Sequence, residues 1–190
     1  MEKTFLFLSI TSLRQSAFFR YLERIGIDEK AVVFLSETQA KAVLDDKEFA
    51  PIDATLGLLH VDLKAPVSCL VAHADNDFCR RLAKEALSYF PNRASFPSDI
   101  ILKEVSFLNQ NSFADLARIF GKVPSELLLT AGAYLRCGMD ASLGAESLYI
   151  HRNTFLYRLN HFIEMTGIDI RDYHNALLLE LYFQLGNGLR

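Results

Sequence analysis

The side chains with chemistry to offer cluster near the C-terminus, where His151, Arg152, Asn153 and Thr154 stand in succession, followed by Tyr157, Arg158 and His161. Arg suits paired hydrogen bonds to a guanine edge and Asn to an adenine edge. Such groups can act together only from the first turns of one exposed helix. Phe155, Leu159, Phe162 and Thr166 follow 4-3-4 spacing and predict its buried stripe. Rotation by about 100° per residue then puts Asn153, Tyr157, Asn160, His161 and Glu164 on the far side. A shorter helix precedes it, capped by Asp140 and running through ASLGAESLYI, with Ala145 and Leu148 on one face and Ile150 as an apolar plug in the turn. In such a unit the second helix lies in a major groove while the first braces it. Arg152, Asn153 and Tyr157 are the candidates for reading bases. His151, Thr154 and Arg158 are candidates for contacting the backbone or fixing the helix, and the first-turn N–H groups favour a nearby phosphate. On pattern alone, an αα-hairpin with a polar outer face fits as well.

Other constellations are weaker. His60-x-Asp62 and His73-x-Asp75-x-Asp77 suggest metal ligands. If Lys64-Ala65-Pro66 turns a hairpin, however, His60 faces Leu70 and His73 falls on the opposite face. Polar strand ends and a helix cap are the plainer reading, so no metal ligand is assigned. No P-loop, nucleophile elbow or H-E-x-x-H occurs, which leaves no catalytic residue, no cofactor and no enzyme class to expect. Cys69, Cys79 and Cys137 are odd in number and form no C-x-x-C pair, so they read as reduced, buried thiols of a cytoplasmic protein.

The elements that must position these groups begin with two apolar runs, 4–10 and 31–36, read as strands. Between them Leu13, Ala17, Phe18, Tyr21, Leu22 and Ile25 keep helical spacing, with Thr11 or Ser12 as cap and Gly26 as stop. TQAKAVLDD reads as a weak helix, and TLGLLHVDL with VSCLVAHA as a β-hairpin. Asp75 or Asp77 caps the helix DFCRRLAKEALSYF. SDIILKEVSFL suits a strand, or a helix through Ile100, Ile101, Val105 and Leu108 after an Asp99 cap. From Asn111 the chain reads as all helix, with Ser112 capping NSFADLARIFG, Pro124-Ser125 opening SELLLTAGAYLRCG, and DYHNALLLELYFQLG closing. In that last helix Leu177, Leu178, Leu181 and Leu185 form a stripe for core packing or a dimer interface.

The run His151 to Thr154, then Tyr157-Arg158-Leu159, then Glu164 to Ile170, resembles the C-terminal helix-turn-helix of the PucR/CdaR family of bacterial regulators. LLLTAGAYLRCGMDAS is similar to that family's L-x-T-L-x-x-Y-L-x-x-x-x-N-x-S, and the likeness covers about residues 125–185. DFCRRLAKEALSYF with SDIILKEV looks like the tail of the degenerate GGDEF-like domain that precedes the DNA-binding unit there. The resemblance implies a transcriptional regulator that binds double-stranded DNA; a homodimer that binds two half-sites and a small-molecule effector are further expectations. This chain departs from the family in carrying Asn160 and His161 where basic residues are usual after Y-R-L, and Leu156 where one is common.

These readings combine into an α+β chain. Residues 1–108 form a small α/β layer for sensing or dimerisation, 109–124 a helical linker, and 125–190 the helix-turn-helix domain. The apolar content of 51% supports a real core. The run TFLFLSI reads as a strand rather than a signal peptide, and no apolar stretch reaches the roughly 20 residues of a membrane helix. The net charge of −3 argues against non-specific coating of nucleic acid. Within 125–190, Arg136, Arg152, Arg158, Arg171 and Arg190 stand against Glu126, Asp140, Glu146, Glu164, Asp169, Asp172 and Glu180, a net of −2. DNA binding weaker than the family norm follows, because each phosphate contact given up removes about one unit of salt dependence and some affinity.

Overall fold

The structure is a computed structural model that describes residues 2–107 and 111–187. It has the expected α+β composition and divides into two compact units, Met1–Lys103 and Glu104–Arg190.

In the first unit five strands form one sheet in the order β2-β3-β1-β4-β5. They are β1 (Glu2–Ser9), β2 (Val32–Ser36), β3 (Gln39–Asp45), β4 (Val67–Ala72) and β5 (Ala94–Ser95). All neighbours are antiparallel except β4 and β5. β1 takes the centre because TFLFLS is apolar on both faces. Phe5 and Phe7 join Ala40, Ala42, Leu44, Cys69 and Val71 in a core with α1 (Gln15–Arg24) and α2 (Phe49–Leu63). There Phe18 meets Phe7 edge-on with ring centroids 5.0 Å apart, a favourable aromatic geometry. The alternate residues Leu6 and Leu70 are buried beside α3 (Asp77–Tyr89), which packs on β4 and β1 through Cys79, Leu82, Ala83 and Ala86. Burial pushes the Cys79 thiol up to about 12 and the Cys69 thiol well above its ordinary value. Both behave as small hydrophobes, while Cys137 is half-buried.

Two expectations are overturned. TQAKAVLDD contributes β3, not a helix. Ala40, Ala42 and Leu44 point inward while Lys41, Val43 and Asp45 alternate outward, and pairing with both β1 and β2 overrides alanine's helix propensity. TLGLLHVDL is the second half of α2, not the first strand of a hairpin. The helix starts at Phe49 with Pro51 in its first turn, and Ile52, Leu56, Leu59 and Leu63 make its buried stripe. Lys64, in the left-handed region, ends it. The hairpin register that was to separate His60 from His73 therefore does not exist. Among the described residues, no three His, Cys, Asp or Glu side chains are grouped so as to hold a metal ion.

Caps shift locally. α1 begins after Arg14 rather than at Thr11 or Ser12, and α3 is capped by Asn76, whose side chain accepts from the Cys79 N–H at 2.9 Å. Asp75 instead bridges Lys41 (2.9 Å) and Arg80 (2.6 Å), and these partners hold its carboxyl at about 2. SDIILKEVSFL resolves as helix, α4 (Pro97–Ser106), where Asp99 accepts from the Phe96 N–H at 2.8 Å. Leu108 and the side chain of Ser112 lie outside the described residues.

The second unit holds α5 (Asn111–Phe120), α6 (Ser125–Arg136), α7 (Ala141–Ser147), α8 (Arg152–Thr166) and α9 (Tyr173–Asn187). α5 falls on the segment read as a linker, and it packs on α9. Phe120 lies between Phe162 of α8, stacked at 6.1 Å, and Tyr182 of α9 at 5.3 Å. Within α9, Leu178 and Leu179 are fully buried, whereas Leu177, Leu181 and Leu185 of the expected stripe are half-buried. No helix among the described residues is long and apolar enough to cross a membrane.

Candidate nucleic-acid interface

Local contacts shape α7, the turn and its seam with α8. Asp140 caps α7 by accepting from the N–H groups of Ser142 (2.7 Å) and Leu143 (3.0 Å), which hold its carboxyl below the usual carboxylate range. Gly144 lets α7 approach the ring of Phe155, because a Cβ there would stand 2.5 Å from Phe155 Cζ. Ile150, half-buried in the turn, donates its N–H to the Ala145 carbonyl at 3.1 Å. Phe155, Leu159 and Phe162 then form the buried stripe of α8, as the spacing predicts, while Thr166, its expected fourth member, is half-buried. Gly167, at φ +69°, closes the helix in the left-handed conformation that suits glycine.

The turn holds one feature that sequence reasoning missed. Tyr149 has φ +55° and its side chain is 96% exposed. A left-handed backbone costs a non-glycine residue about 1–2 kcal/mol, and this ring buries almost nothing in exchange. No sequence signal marks a tyrosine as left-handed. Gly144 did carry a signal, since a glycine inside a helix often marks close backbone approach.

The expected site residues divide. His151, Arg152, Asn153, Thr154, Tyr157 and His161 are all exposed, with Asn160 and Glu164 beside them. His151 is the N-cap of α8, its Nδ1 accepting from the Asn153 N–H at 3.2 Å. That contact leaves Nε2 unengaged by the cap. Arg152 donates from Nε to Ser142 Oγ at 3.1 Å across the turn. The Tyr157 and His161 rings lie one helical turn apart, with centroids 6.1 Å from each other. Arg158 stands apart: it is half-buried and its guanidinium meets Glu126 of α6 at 3.2 Å. Arg118 and Arg171 are likewise paired, with Asp115 at 3.2 Å and Asp169 at 2.7 Å.

A short capped helix, a tight turn and a second helix with a polar outer face and a buried aromatic stripe define a helix-turn-helix domain. Residues 127–185 match the family model of the PucR C-terminal helix-turn-helix domain. Among curated relatives, the chain is 42% identical over 60 residues to the uncharacterized protein YxkF of Bacillus subtilis, covering 32% of this chain and 20% of that one. It is 39% identical over 56 residues to the carbohydrate diacid regulator of Escherichia coli, covering 30% and 14%. It is also 39% identical over 61 residues to the proline-responsive transcriptional activator PutR of Bacillus subtilis, covering 32% and 15%. The matches thus span no more than a fifth of the length of these relatives.

Proposed function

We propose that this chain is a sequence-specific, DNA-binding transcriptional regulator that places α8 in the major groove and acts by binding rather than by catalysis. The observation that carries the reading is the exposed face of α8. Asn153, Tyr157 and His161 lie along it, Arg152 stands at its first turn, and the helix end leaves N–H groups for a phosphate. Arg152, Asn153 and Tyr157 read bases, His151, Thr154 and His161 contact the backbone, and Arg158 fixes α8 through Glu126. One matched relative is named a carbohydrate diacid regulator and another a proline-responsive transcriptional activator, which supports the reading.

One such module carries few unpaired cations, so binding as a homodimer to two half-sites is the natural route to useful affinity. Residues 1–108 would pair the copies or sense a small-molecule effector in the cytoplasm, 109–124 would link, and 125–190 would bind DNA. A second reading, a helix-turn-helix kept for protein interaction, is favoured by the net charge of −2 over 125–190 and by Glu164 on the outer face.

Selection of bound duplexes from a randomised pool at low salt, with Arg152→Ala alongside, decides between them. The expected result is a palindromic motif that the variant binds about 1–3 kcal/mol more weakly and with relaxed preference. Equal binding by the variant would remove Arg152 from the interface. No enrichment by the folded wild type would favour protein partners.

A further inference from the structure

We infer that Tyr149 is an additional DNA-contacting residue, donating its phenol hydroxyl to a backbone phosphate beside the N-terminal turn of α8. The inference rests on the DNA-binding reading and extends it to a residue outside its contact set. Two independent observations carry it. The Tyr149 backbone is left-handed, a conformation glycine or asparagine would adopt at lower cost, so tyrosine is a poor choice for the turn itself. Its side chain is 96% exposed, so the ring is not there for the core. What remains is its chemistry toward something outside the chain.

The position indicates what that something is. The Tyr149 N–H is spent on the Glu146 carbonyl at 3.0 Å and the Ile150 N–H on Ala145, so the turn is rigid and its direction set. Two residues on, His151 caps α8, and Arg152 follows. The Tyr149 backbone that carries the phenol precedes by two residues the cap of the helix end proposed to approach the duplex. The phenol is neutral and donates one hydrogen bond, which matches a phosphate oxygen flanking a base-reading helix. A hydroxyl on a phosphate adds affinity without sequence information, and without the counterion release that a cation brings.

The test uses the full chain, the duplex recovered by selection and a scrambled duplex, read by fluorescence anisotropy over a salt series. Tyr149→Phe is expected to weaken binding about tenfold on both duplexes, as losing one hydrogen bond to a charged group would, with the salt slope unchanged. Tyr149→Gly is expected to weaken binding at least as much while melting at or above the wild-type temperature, which separates contact from folding. Binding by Tyr149→Gly within twofold of wild type would overturn the assignment. So would a loss confined to the selected duplex, or a change in salt slope. If wild type binds neither duplex, the DNA-binding reading itself fails and this inference falls with it.

Discussion

Replacing Gly144 by alanine tests whether the seam between α7 and α8 is as tight as its geometry requires. The new methyl carbon would stand 2.5 Å from Phe155 Cζ and 2.9 Å from Cε2, where carbon pairs prefer about 3.5–4.0 Å. Phe155 is fully buried, so its ring has no solvent to swing into, and the ring or α8 itself must retreat by about 1 Å. Overpacking of this kind costs about 1–3 kcal/mol, and alanine's better helix propensity returns at most about 1 kcal/mol. The net expectation is a loss of up to about 2–3 kcal/mol and centred near 1, and each kcal/mol lowers the melting temperature by about 4–8 °C for a unit of this size. Thermal unfolding of the full chain, followed by far-ultraviolet circular dichroism, measures it. Phe155→Leu isolates the cause. Alone it costs about 1 kcal/mol through lost packing. In the double variant the methyl occupies space the ring has vacated, so the two losses sum to less than their separate values by about 1 kcal/mol. A Gly144→Ala protein that melts above wild type would refute the reasoning, as would strict additivity of the pair.

Arg158→Ala should leave the salt slope of DNA binding at its wild-type value, because the guanidinium is held by Glu126 at 3.2 Å. A slope lower by about one unit would instead put Arg158 on a phosphate. In the first unit, the ion pairs of Asp75 with Arg80 and Lys41 lower its folded pKa to about 2 from an ordinary 3.8. A depressed carboxyl stabilises the fold above its unfolded pKa, and that stability is lost as pH falls from about 4 through about 2. Arg80 is half-exposed, so screening holds the contribution to about 1 kcal/mol. Urea midpoints of wild type and Asp75→Asn should accordingly differ at pH 5 and converge near pH 2, and a gap that persists at pH 2 would assign the effect to packing.

The helix-turn-helix was legible in the sequence because its determinants are local. Asp140 caps over two and three residues, the stripe Phe155-Leu159-Phe162 repeats with the helix period, and Gly167 supplies the left-handed stop. Each lies within one or two turns of what it controls, so spacing alone exposes it. The same holds for β1, whose apolar run suits only a strand covered on both faces. Where the sequence misled, a distant partner made the choice. QAKAVLD is β3 because β1 and β2 offer it hydrogen bonds on both edges, and its short alanines leave helix and strand closely matched until those partners are in place. TLGLLHVDL differs, since its helix is specified locally: Ile52, Leu56, Leu59 and Leu63 repeat with the helix period and form the stripe that α2 presents to the core.

Three features of the interface also needed the tertiary structure. The ion pair of Arg158 joins α8 to Glu126 of α6, 32 positions earlier, and so engages a motif arginine within its own domain. The contact of Gly144 with Phe155 depends on how closely two helices pack, which no periodicity specifies. The left-handed backbone of Tyr149 is imposed by the hydrogen bonds that close the turn from both sides. The sequence by itself determined the stripes, the caps and the stop of the helix-turn-helix, since these act through neighbours along the chain. The tertiary structure alone decided which of its polar groups remain free to meet another molecule, because that depends on which of them the rest of the fold has already engaged.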